Sequence, residues 1–319
     1  MVIKRLIAIT CPCAGLLCAG VAAQDFPNRP LRLVASEAGG GGDFAARLIA
    51  QSLAPLLGQP VVVENRGGGV IAGDLVARAP ADGHTLLLYG NTFWLLPLMR
   101  SSVPYDPVRD FTPVSLAARA TNILVALPSL PVKSVADLIA LAKASPGTLN
   151  YGSAAAGTVN HLAAELFKSM AGVDIVRIAY KGTASILNAL MAGEVQMIFA
   201  TSASVTPQLR AGRLRALAVT SLERSSLFPE LPTMAASGLP GFESVSLHGV
   251  FAPAKTPTVV VNRLNAAIVQ VLSRAEVRDR FLANGVETVA GAPADLAAAM
   301  KSEIARMGKV IRAAGIRDE

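Results

Sequence analysis

Short apolar runs alternate along this chain with segments of helical period, a pattern that predicts an α/β fold with mostly parallel sheets. Leu31, Leu33 and Ala35 alternate with Arg32, Val34 and Ser36, glycines occupy 39 to 42, and Asp43 opens a helical segment that runs to Leu57. The prediction is a strand, a tight loop and a helix, with Asp43 as N-cap and Arg47 its partner one turn on. Pro60 to Glu64 predicts a buried strand, Gly67 to Gly69 a second glycine turn, Val70 to Ala79 a helix and His84 to Leu88 another strand. That strand empties into Tyr89-Gly90-Asn91-Thr92, at the carboxyl end where open α/β sheets bind ligands. Pro97 to Pro113 reads as irregular.

The same logic recurs further on. Ile123 to Ala126 is an apolar strand at a change of domain, and Ser134 caps a helix that runs to Ala144. In Leu149 to Met170 a strand, a small-residue loop and a capped helix follow one another again. Ser153 and Thr158 offer hydroxyls there, and Gly157 an open backbone. Ile175 to Ala179 is a strand, Thr183 to Ala192 a helix ended by Gly193, and Val195 to Phe199 a strand leading into Ala200-Thr201-Ser202. Leu214 to Thr220 and Ser244 to Phe251 are further strands, the latter carrying His248, and helices over 258–283 and 293–314 finish the chain.

Residues 1–23 stand outside this pattern. Lys4 and Arg5 precede an apolar run from Leu6 to Val21, and Val21-Ala22-Ala23 supplies small residues for cleavage, so the segment reads as a secretory signal. Cys11, Cys13 and Cys18 all lie in it, which leaves the exported chain without a disulfide, a thiolate nucleophile or a cysteine metal site. Removing Lys4 and Arg5 takes 29 basic residues to 27 against 22 acidic ones, so a net charge of +7 becomes +5. No basic run or aromatic-interleaved stripe accompanies that surplus, so it says little about nucleic acid and is compatible with small anionic ligands. The mean hydropathy of +0.47 comes from the signal and from alanine-rich helices.

Candidate chemistry is sparse. His84, His161 and His248 are the only histidines and show no metal-ligand spacing. The glycine run lacks a dinucleotide or phosphate-loop signature, and no nucleophile elbow occurs. No catalytic residue, metal or cofactor is therefore expected. His161 reads as a helix residue anchoring a neighbouring loop, and His248 as a packing residue or a cleft residue. Glycines before a helix start favour a bound anion, although a tight turn alone would use the same residues.

The runs ENRGGGVIAGDLVARAPADGHTLLL, PYDPVRDFTPVS, PVKSVADLIALAKASPGTLNYGS, the YKG at 180 and LPTMAASGLPGF followed by FAPAKTP resemble the Bug-type receptors of the tripartite tricarboxylate transporter family. The resemblance covers essentially all of the chain after the signal. It implies a two-domain periplasmic binding protein of the type II-like, Venus flytrap kind, with two crossover strands. Domain 1 would comprise 24–123 plus 223–319 and domain 2 124–222. It also implies capture of a small organic acid or amino acid by hinge closure, by a monomer that serves a membrane transporter or a sensor. The family's ligand loops fall on Ala38, Gly41, Gly42 and Asp43, on Asn91 and Thr92, and on Ser153, Ala156, Gly157 and Thr158, with Thr201, Ser202 and His248 completing the set. Glu37 and the alanines at 154 to 156 depart from the family pattern. The first would repel an anion if buried, and the second implies a less polar wall.

Overall fold

The computed structural model describes residues 26–36, 38, 41–67 and 69–317. The signal-like segment with its cysteines, Glu37 and the glycines at 39 and 40 lie outside the described residues. Strand β1 (Leu31–Ala35), helix α1 (Gly41–Leu57), β2 (Val61–Asn65), α2 (Gly69–Ala77), β3 (Thr85–Gly90) and α3 (Asn91–Met99) open the fold, with β1 pairing β2 and β3 in parallel. Each of these helices starts just beyond the carboxyl end of a strand. Asp43 is thus a first-turn residue of α1 and not its cap. Its carboxylate accepts from Arg47 Nε and from Asn65 Nδ2, each at 2.8 Å.

Residues 97–99 are helical, not irregular as the prolines suggested. Around α3 the side chains of Phe93, Trp94, Leu95 and Leu96 are all buried, so the helix has no polar face and left no amphipathic signal. Phe93 stacks on Tyr105 at 5.0 Å and meets Phe111 edge-on at 4.8 Å, which fixes α3 on the sheet.

β4 (Phe111–Ala126) is far longer than the apolar run at 123 to 126 predicted. Its first part pairs antiparallel with β9 (Val245–Pro253) and its last five residues with β7 (Met197–Thr201), so one strand belongs to both halves of the sheet. Pro113 is accommodated where the register to β9 shifts. α4 (Val135–Ala144), β5 (Asn150–Ser153), α5 (Val159–Ala171), β6 (Val176–Ala179), α6 (Thr183–Ala192), β7 (Met197–Thr201), α7 (Ser202–Arg210) and β8 (Arg215–Val219) make up the second set, in which β5 pairs β6 and β7 in parallel. Ser134 accepts from the Asp137 amide at 3.1 Å, as its cap position predicts.

The chain returns through β9 (Val245–Pro253), α8 (Thr258–Leu272), α9 (Ala275–Ala283), β10 (Glu287–Thr288) and α10 (Pro293–Ala313). The single helix expected over 258–283 is broken at Ser273 and Arg274. The break turns α9 so that Phe281 meets Phe44 of α1 edge-on at 5.5 Å. The sheet runs β2-β1-β3-β9-β4-β7-β5-β6, with β8 and β10 beside β4, so the fold is a mixed α/β sheet flanked by helices. No described helix is long and apolar enough to cross a membrane.

Candidate ligand cleft

A cavity of about 720 Å³ opens where the two strand sets meet. Five helices begin on it: α1 at Gly41, α2 at Gly69 and α3 at Asn91 from the first set, α5 after Thr158 and α7 after Thr201 from the second. Each start leaves backbone N–H groups without an intrahelical partner and adds the positive end of a helix dipole. None of the described lining residues is Asp, Glu, Lys or Arg. Whatever charge enters therefore meets backbone dipoles and neutral side chains.

Of the residues singled out from the sequence, Gly41, Thr92, Ala156, Gly157, Thr158, Thr201 and His248 line this cavity. Asn91 lines it as well, but its side chain is engaged elsewhere: Oδ1 accepts from Leu247 N at 2.6 Å, and Nδ2 donates to Val245 O at 3.1 Å and to Glu303. The Gly157 amide, expected to be open, donates to His161 Nδ1 at 3.1 Å, so His161 anchors the loop as its position suggested. The Thr158 hydroxyl donates to Ala155 O at 3.0 Å, which shapes the same turn.

Five residues stand away from the cavity. Ala38 is an exposed turn residue. Gly42 lies behind the wall, where a Cβ would come within 2.5 Å of Ser36 Oγ. Asp43 is turned to Arg47 and Asn65. Ser153 is buried and its Oγ accepts from Arg177 Nε at 2.7 Å. Ser202 is buried too, and its hydroxyl donates to Gly285 O at 3.1 Å, so it ties α7 to the turn after α9.

His248 sits on β9 against bare backbone. Its Cδ2 lies 3.8 Å from where a Cβ of residue 42 would be, and its Nε2 lies 4.0 Å from that of residue 90. Its Nδ1 is buried without a partner, and burial lowers the imidazole to about 4, so it is neutral at physiological pH. His161 is also lowered to about 4, by burial first and then by Arg177, which keeps its Nδ1 free to accept from Gly157.

The residues that the sequence reading missed are mostly apolar. Phe44, backed by Phe281, forms one patch with Val286, while Leu96 and Met99 of α3 form another beside Gly157. Phe44 could have been found, since it directly follows the glycine loop. Leu96 and Met99 carried no signal, because their helix was itself hidden. Among the described residues no group of three or more His, Cys, Asp or Glu could hold a metal ion.

Residues 45–316 match the model of the tripartite tricarboxylate transporter family receptor. A Pseudomonas protein encoded between tcbD and tcbE is 41% identical over 90% of this chain and 86% of its own length. Protein BugT of Bordetella pertussis is 37% identical over 98% of this chain and 97% of its own. An R. palustris protein solved with adipate superposes with a TM-score of 0.78 at 40% identity, covering 92% of this chain and 99% of that one. MatC from Rhodopseudomonas palustris, solved with bound malate, superposes with a TM-score of 0.74 at 33% identity, covering 90% and 100%. The helix starts of both strand sets converge on one cavity without a described charged side chain, the family match spans residues 45–316, and this protein belongs to the tripartite tricarboxylate transporter receptor family.

Proposed function

We propose that the protein is a periplasmic receptor that captures a small organic acid between two hinged halves, residues 24–123 with 223–319 and residues 124–222, and presents it to a membrane transporter. The convergence of five helix starts on a cavity without a described charged side chain carries this reading. A carboxylate accepting from such amides gains charge-assisted hydrogen bonds, and neither half alone offers the full set. Closure then follows from contacts made with both halves at once. One chain supplies both walls, so a monomer suffices.

The apolar patches at Phe44 and Val286 and at Leu96 and Met99 favour a ligand whose carbon skeleton is buried along with its acid group. Neutral His248 adds a donor or acceptor without adding charge. The apolar run at residues 6–21 supports export.

Thermal-shift screening of the exported form against mono-, di- and tricarboxylates, aromatic acids and amino acids tests the reading. A ligand at a hundred times its Kd adds about 2.7 kcal/mol to stability, which raises the midpoint by several degrees. Failure of every acid to raise the midpoint, or steady turnover of one of them into product, would overturn it.

A further inference from the structure

A buried polar connection in the first half lies behind the cleft. Glu303 of α10 is buried, and its Oε2 accepts from Trp94 Nε1 at 2.7 Å while its Oε1 accepts from Asn91 Nδ2. Asn91 passes the connection on to β9 through Leu247 N at 2.6 Å and Val245 O at 3.1 Å. Its orientation is not free to flip. The Leu247 N–H can only donate and the Val245 carbonyl only accept, so Oδ1 must face the former and Nδ2 the latter. Asn91 and Trp94 therefore both present donors to residue 303, and a group with two acceptor oxygens is required there. Glutamate meets that need and glutamine does not.

The bracket joins two walls of the cavity. Asn91 begins α3, whose start lines the cleft with Thr92, while Leu247 and His248 line it from β9. We propose that Glu303 is a positioning residue for ligand capture: through Asn91 it locks the start of α3 to β9, so that the α3 amides and His248 face the ligand in fixed register. The proposal rests on the receptor reading but names a residue outside the cleft. The charged groups around Glu303 are Arg306, which pairs with Glu243 at 2.6 Å, together with Arg119 and Glu223 on a smaller cavity of about 270 Å³. None of these is hydrogen-bonded to Glu303, so the two neutral donors hold it.

The chain has a single tryptophan, so the indole N–H resonance reports directly on the bond to Glu303. In Glu303→Gln at pH 8, the indole signal and the backbone amides of Thr92, Leu247 and His248 should all move in the absence of ligand. With adipate as probe, Kd should weaken about tenfold, the loss expected for a broken charge-assisted bond. Asn91→Ala is the second variant: it leaves Trp94 on Glu303, so the indole signal stays close to wild type while the Thr92, Leu247 and His248 amides move. Val310→Ala in the same helix is the control, lowering the midpoint without moving those amides. An indole signal that moves in Glu303→Gln while the Thr92 and Leu247 amides stay fixed would overturn the proposal, as would unmoved amides in Asn91→Ala. Because the amide shifts are read without ligand, a probe that fails to bind wild type counts against the receptor reading alone.

Discussion

Met99 and Gly157 meet across the cleft: a Cβ on residue 157 would lie 2.3 Å from Met99 Sδ and 2.7 Å from its Cε. Gly157 also has φ +75, in the left-handed region that other residues enter at a cost. Gly157→Ala should therefore lose about 1–2 kcal/mol of stability from the backbone alone. Met99 has a flexible end that can swing away, so pairing the substitution with Met99→Ala should relieve the clash and not the backbone strain. Denaturant unfolding of the single and double variants separates the two effects, and equal stability of Gly157→Ala and wild type would refute the strain argument.

A second bridge joins the same two halves. Ser202 Oγ donates to Gly285 O at 3.1 Å, and a Cβ on Gly285 would come within 2.8 Å of the Ala203 amide nitrogen. Ser202→Ala removes one part-buried hydrogen bond and should cost about 1 kcal/mol. If the bridge favours the closed arrangement, small-angle scattering of Ser202→Ala without ligand should give a larger radius of gyration than wild type. An unchanged radius would confine Ser202 to local packing.

Acid should open the loop before α5. His161 Nδ1 accepts the Gly157 N–H only while the imidazole is neutral. Its folded value, about 4, lies below the ordinary 6.5, so this stabilisation is complete above about pH 6.5 and is lost as pH falls towards 4. Hydrogen exchange at the Gly157 amide, corrected for its intrinsic pH dependence, should accelerate across that window. An exchange-protection factor that stays constant from pH 7 to 4 would disprove the coupling.

Glu303 should act in the opposite direction. Burial, opposed by its bonds to Trp94 and Asn91, raises its carboxyl from 4.5 to about 7. A raised folded value means that its contribution is complete below about pH 4.5 and is lost as pH rises through 7. The total over that window is on the order of 3 kcal/mol. Glu303→Gln removes this titration, so the variant's stability relative to wild type should improve steadily from pH 4.5 to 7.5. Parallel stability curves for the two proteins would show that Glu303 does not titrate in this range.

Loops and strand ends near the site were readable because small and polar residues there have few alternative uses. The Leu149 to Met170 stretch gave β5, the loop and α5 in their right order, and its Gly157, Thr158 and His161 all act at one turn. Roles were less readable than positions. The Gly157 amide and the hydroxyls of Ser153 and Ser202 are spent on the protein itself, since a short polar group beside a backbone carbonyl or guanidinium satisfies its neighbour first. The Glu303 bracket spans partners more than 200 residues apart in sequence, and neither member announces the other.

Local pattern alone determined the alternation of strands and helices, the glycine-lined starts of α1 and α2, and family membership, because period, turn chemistry and motif order are properties of neighbouring residues. Tertiary structure alone decided that α3 is a helix, that β4 runs through both strand sets, and that Phe44, Met99 and Val286 line one cavity. Each of these is fixed by burial against distant segments. A helix apolar on every side has no period to read, and a cavity is defined by side chains whose only relation is the space they enclose.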